Sequence, residues 1–234
     1  MKSWCRVASK LSASGLSTFL RSPKAYYFRY KAGLEPIGLS VTTFDHDRIC
    51  GSIWSQFVAR FYHGVGESIN TQQTIAEWLD QTSDWVPEKA RDRLTKALET
   101  WATQYYQMFS PTDGCRDPET SEMRVENDRF IGYLDGFASQ DRYILECKST
   151  SRSPQLSGQL WRVQNSIQIK LYAVLTQANG AVIEFAFKDA PHQLFRGPVV
   201  AFSEAQRRGW EQELNALADR ISSLGDDPNN YPCH

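Results

Sequence analysis

The sequence predicts an α/β fold in which a mixed sheet flanked by helices follows a helical N-terminal portion. Three observations predict it. Apolar residues keep helical spacing through residues 1–110. The turn-rich stretch SPTDGCRD, residues 110–117, then marks a change of texture. Beyond it, short alternating runs bounded by turn residues lead into a helix and a further apolar strand, the pattern of a crossover unit.

Taken in order, Ser12 or Ser14 is placed to cap a short helix carrying Leu16, Phe19 and Leu20. Pro23 suits the first turn of a second helix with Tyr26, Tyr27 and Tyr30, three rings expected in the core rather than on a stacking surface. Ile49, Ile53, Trp54, Phe57, Val58 and Phe61 follow helical spacing. Leu94, Leu98, Trp101, Tyr105 and Met108 do the same in a helix opened by Pro87. Strands are expected at Ser121–Glu126, Arg129–Ala138 and Tyr143–Ser149, with turns at Asn127–Asp128 and Ser139–Asp141. A helix over Leu160–Gln177, a strand at Ala181–Lys188 and another at Pro198–Phe202 come next. Ser203 and Gln206 form a capping box for a last helix reaching about Ser222, and the tail GDDPNNYPCH is polar and turn-forming.

With 234 residues, one domain is expected, mainly helical over 1–110 and sheet-bearing over 118–223. The net charge of −1 gives no broad basic surface, so a nucleic-acid partner requires basic groups focused in one cleft. Cys5, Cys50, Cys115, Cys147 and Cys233 are odd in number and scattered, which excludes a disulfide framework and a zinc signature and points to the reducing cytoplasm. No run of about 18 apolar residues occurs, so no membrane span is expected.

The chemistry concentrates in GYLDGFASQDRYILECKST, residues 132–150. Asp135 and Glu146 fall on neighbouring strands, about 5 Å apart, and can converge. Paired carboxylates repel unless a cation joins them, and hard oxygen ligands suit Mg²⁺ or Mn²⁺. Lys148 shares a face with Glu146 at i, i+2. Cys147 points the other way, into the core, with its backbone carbonyl near the site as a further ligand. Such a set fits phosphodiester cleavage, with Lys148 orienting the attacking water or stabilising charge on the phosphate. Read alone, ExK on a strand is more often a salt-bridged surface ladder. The Asp on the preceding strand raises its weight.

These residues resemble the PD-(D/E)XK nuclease superfamily in its RecB-like exonuclease branch. Gly132–Asp135 looks like its GxxD strand, Glu146–Lys148 its ExK strand, and Gln168–Tyr172 its QxxxY helix. LSASGLSTFLRSPKAYYFRY, residues 11–30, is similar to its opening, a Ser-rich cap before a Pro and an aromatic helix. The resemblance implies a restriction-endonuclease-like central sheet and a metal-dependent DNA nuclease, an exonuclease at DNA ends or single strands in repair, recombination or phage DNA processing. A helicase or recombination partner stays open, as does oligomeric state. Glu122, ahead of Glu126, is the expected extra acidic ligand. Gln168 and Tyr172 either position DNA or support the site. Lys24, Arg29, Lys31, Arg152 and Arg162 are candidate phosphate contacts.

Two departures stand out. Ser55 occupies the place of a metal-binding His in the early GxxxH motif, which leaves one or two ions open; His46 and His63 are candidates to replace it, though each reads more readily as an unrelated polar residue. Ser22 replaces the early Cys of cluster-bearing relatives, so no iron–sulfur cluster is expected. The alternative function is a non-catalytic DNA- or partner-binding module on the same fold.

Overall fold

In a computed structural model the described residues are 10–34, 51, 54, 57–58, 88–108, 123–150, 156–187 and 192–232. A two-residue strand β1 (Leu11–Ser12) leads into α1 (Ala13–Arg21), whose N-cap Ser12 accepts from the Gly15 amide at 3.2 Å. Ser22 then caps α2 (Pro23–Tyr26), with Pro23 in the first turn, and the chain continues as a π-helical turn, Tyr27–Lys31. The long helix α3 spans Glu88–Met108. Its expected opening at Pro87 lies outside the described residues.

The sheet region differs from expectation in an instructive way. The single strand expected over Arg129–Ala138 is two, β3 (Phe130–Leu134) and β4 (Gly136–Ala138), broken at Asp135. The two halves join different sheets. β1, β3 and β2 (Met123–Glu126) form one sheet, with β1 parallel and β2 antiparallel to β3. β4, β5 (Tyr143–Thr150), β6 (Gly180–Phe187) and β7 (Leu194–Arg196) form the other, and β8 (Val200–Ala201) adds to β6. β5 and β6 run parallel from Tyr143↔Gly180 to Thr150↔Phe187, the crossover pair that the sequence predicts.

The helix between them is also two. α4 (Leu156–Gln164) and α5 (Ile167–Thr176) part at Asn165–Ser166, because Ser166 turns extended and caps α5 through the Ile169 amide. α5 is mostly apolar and buries Ile169 and Leu171–Val174, packing against α1, β3 and the last helix α6 (Glu204–Ser223). The Ser203–Gln206 capping box opens α6 as predicted. The tail holds a 3₁₀ turn, Pro228–Asn230, then returns Tyr231 to the core against Phe19, Tyr26 and Tyr27. α3 lies on the other side of the larger sheet, where the Trp101 indole donates to the Phe187 carbonyl at 3.0 Å. Among the described residues, no helix is long and apolar enough to cross a membrane.

Candidate active site

Strand alternation sets the site. On β5, Ile144, Glu146 and Lys148 face α5, while Leu145 and Cys147 face α3. Glu146 is 1% exposed, a rare location for an ionisable side chain. Its Oε1 accepts from the Lys148 ammonium and, at 2.8 Å, from the Gln168 amide. Its Oε2 is buried and has no hydrogen-bond partner among the described residues.

Asp135 reaches the same place from the strand break. Extending the β4–β5 register from Gly136↔Leu145 would set Leu134 opposite Cys147, but β3 has left for the other sheet. The Asp135 Oδ2 takes over that backbone bond, accepting from the Cys147 amide at 2.7 Å. The break thus turns a strand residue into a side-chain cap beside Glu146.

α5 closes the site. Gln168 and Tyr172, one turn apart, share a face. Gln168 accepts from Lys148 Nζ at 2.9 Å and donates to the Tyr172 hydroxyl at 3.1 Å, besides its bond to Glu146. The edge of the Tyr172 ring meets Gly132: a Cβ there would sit 2.5 Å from its Cε1 and 2.9 Å from its Cδ1. Glycine at the head of GYLD therefore makes room for the aromatic ring of the following helix.

Electrostatics follow from burial. Desolvation, aided by the Asp135 charge and opposed by Lys148, pushes Glu146 up to about 7. Burial works against the charge on Lys148, yet the adjoining Glu146 carboxylate outweighs it and raises the ammonium's pKa. Burial, then the Glu146 charge, pushes the Tyr172 phenol up to about 12. Two close carboxylates, one with an unpartnered oxygen, form a hard-oxygen donor set that fits a divalent cation. Among the described residues no group of three or more His, Cys, Asp or Glu side chains gathers, so the set rests on two acids there.

Other expected residues fall elsewhere. Cys147 does face away from Glu146, but into a polar cluster and not an apolar core: its Sγ lies 3.3 Å from Glu184 Oε2. Glu184, opposite Cys147 in register and 5% exposed, also takes the Tyr105 hydroxyl at 3.3 Å and Arg196 Nε at 2.8 Å. The sequence reading missed this cluster, although one Glu inside the apolar run GAVIEFAF was a visible signal. Glu126 pairs with Lys10 at 3.1 Å and Arg124 at 2.7 Å, on the smaller sheet. Lys31 pairs with Asp226 at 3.3 Å in the tail. Lys24, Arg29 and Arg162 are described, and Arg29 lines a cleft beside Gln168. Glu122, Ser55, His46, His63 and Arg152 lie outside the described residues. Gly51, which opens the early GxxxS segment, does sit against β5, its Cβ position 3.1 Å from Ser149 Oγ.

A sequence model of the PD-(D/E)XK nuclease superfamily matches residues 10–234. A crystal structure from Eubacterium rectale, provisionally described as an exonuclease, superposes with a TM-score of 0.54 at 10% identity, covering 97% of this chain and 88% of that one. At that identity the likeness is one of fold. A phage-related exonuclease from Haemophilus somnus 129PT gives a TM-score of 0.44 at 12% identity, over 92% of this chain and 95% of that one. No curated protein matches the chain.

Proposed function

The chain belongs to the PD-(D/E)XK nuclease superfamily, and on that premise we propose that it is a divalent-metal-dependent deoxyribonuclease acting as an exonuclease on DNA ends. The observation that carries the proposal is the buried Glu146 carboxylate, one oxygen unpartnered, between Asp135 and the Lys148 ammonium. Asp135 and Glu146 would hold Mg²⁺ or Mn²⁺, with the Cys147 carbonyl as a further ligand and Glu122, outside the described residues, as the additional acid that the family resemblance implies. The ion supplies polarisation of the phosphate and a lowered pKa for the attacking water.

The protein's own groups do the rest. Lys148 is charged, a third exposed and tethered by Gln168, so its ammonium can turn from Glu146 to the phosphate oxygen that gains charge. Gln168 fixes both Glu146 and Lys148, and Tyr172 fixes Gln168. Action at ends is favoured by the description of the E. rectale structure as an exonuclease. Repair, recombination or phage DNA processing, alone or beside a helicase, is the proposed setting.

End-labelled linear DNA and covalently closed circular DNA, each with Mg²⁺ and with EDTA, test the reading. Linear DNA is expected to be degraded with Mg²⁺ only, and closed circles to survive. Glu146→Ala and Lys148→Ala are each expected to lower the rate by about 100-fold or more. Wild-type cleavage by either variant rejects the assignment. No cleavage by the wild type, with no carboxylate-dependent Mn²⁺ binding, leaves the non-catalytic binding module instead.

A further inference from the structure

A cleft of about 680 Å³ opens between α1, β3 and the start of α5, reaching Gln168 and Tyr172. That volume suits a ligand of nucleotide size.

The wall of the cleft departs from the composition of the chain. Acidic residues number 27 against 26 basic ones overall. Among the described residues the wall nevertheless carries Arg21 and Arg29 and no carboxylate. Neither arginine has an acidic partner among those residues: Arg21 Nε lies 3.4 Å from the Ser17 carbonyl, and Arg29 sits over the Tyr30 ring at 5.6 Å. α1 adds the hydroxyls of Ser14, Ser17 and Thr18. At the rim stands Tyr133, 59% exposed and two residues before Asp135.

Cations without acid partners and hydroxyls are what phosphates contact. An exposed aromatic face accepts any base by stacking. The cleft is also lined by Gln168, already bonded to Glu146 and Lys148. We infer that the α1–β3 cleft holds unpaired nucleotides of the substrate strand beside the phosphate to be cut, with Arg21 and Arg29 on phosphates and Tyr133 stacked on a base. The inference rests on the nuclease reading of the neighbouring carboxylates and adds a requirement to it: the strand must be single, or frayed, where it enters.

Anisotropy titrations in EDTA, which stops cleavage, read binding by the full chain separately from activity. A fluorescent oligothymidylate is expected to bind more tightly than a blunt hairpin duplex of the same length. Arg21→Ala/Arg29→Ala is expected to weaken it about tenfold and to reduce the salt slope by about 1.4, at about 0.7 per single-strand phosphate contact. Tyr133→Ala is expected to weaken it at least about fivefold, Tyr133→Phe to restore it, and a strand of abasic sites to remove the difference. These side chains are exposed, so melting curves are expected to match wild type; glutamine replacements at both arginines repeat the test if the alanine variant does not fold. Equal affinity for the duplex, or unchanged affinity in both variants, overturns the inference while wild-type cleavage with Mg²⁺ keeps the nuclease reading. Variant-sensitive binding without cleavage under any divalent metal does the reverse.

Discussion

At Glu146 the environment favours the uncharged carboxyl, whose pKa moves from an ordinary 4.5 to about 7. A raised folded-state pKa adds stability that is complete below about 4.5 and is lost as pH climbs through about 7. The metal-free protein is therefore expected to lose melting temperature between pH 5 and 8. Glu146→Gln, neutral throughout, is expected to flatten that part of the profile, and Mn²⁺ to raise the wild-type melting temperature more at pH 8 than at pH 6. Thermal scans in EDTA and in Mn²⁺ measure both effects, and parallel profiles for wild type and variant would refute the account. The residues that meet here were legible in the sequence because i, i+2 on a strand and i, i+4 on a helix fix shared faces. The unpartnered Oε2 was not, since it depends on what α5 places above the strand.

Among the elements, β3, β4 and α5 bear most on the site, and Gly132 is where they touch. Gly132→Ala puts a methyl group 2.5 Å from one carbon of the buried Tyr172 ring and 2.9 Å from another. Overpacking of this kind costs about 1–3 kcal/mol. The melting temperature is expected to fall by a few degrees, at about 2–4 °C per kcal/mol for a chain of this size. Mn²⁺ affinity by calorimetry is expected to fall as well, because Tyr172 steadies Gln168, which in turn holds Glu146. An unchanged affinity alongside the lower melting temperature would show that the Tyr172–Gln168 link is dispensable. Periodicity could not reveal the breaks at Asp135 and Ser166. Each side chain there takes over a backbone hydrogen bond, so the pattern runs on while the element stops.

Across the whole molecule, the ends of the described chain are tied together. Tyr231, 1% exposed, stacks with Tyr26, meets Phe19 edge-on and donates to the Gly225 carbonyl at 2.9 Å. It thereby pins the tail to α1, which forms one wall of the cleft, and to α2 beside it. Tyr231→Ala removes a large buried ring and is expected to cost about 3–5 kcal/mol, as large aromatic truncations do. Denaturant melts would show it as a lower midpoint with an unchanged slope. A cost under about 1 kcal/mol would mean that the tail is not structural. The sequence alone reads as a polar tail here, because one tyrosine among GDDPNNYPCH carries no periodicity.

What the sequence determined by itself is which side chains gather and their order along the chain: an acid, then an acid and an amine two residues apart on one strand, then Gln and Tyr one helical turn apart. Those follow from local backbone periods, which any stretch of chain obeys on its own. The tertiary structure decided the rest. It divided one expected strand between two sheets, set Cys147 against Glu184 and hollowed the arginine-lined cleft, because burial, register and void space depend on segments far apart in sequence.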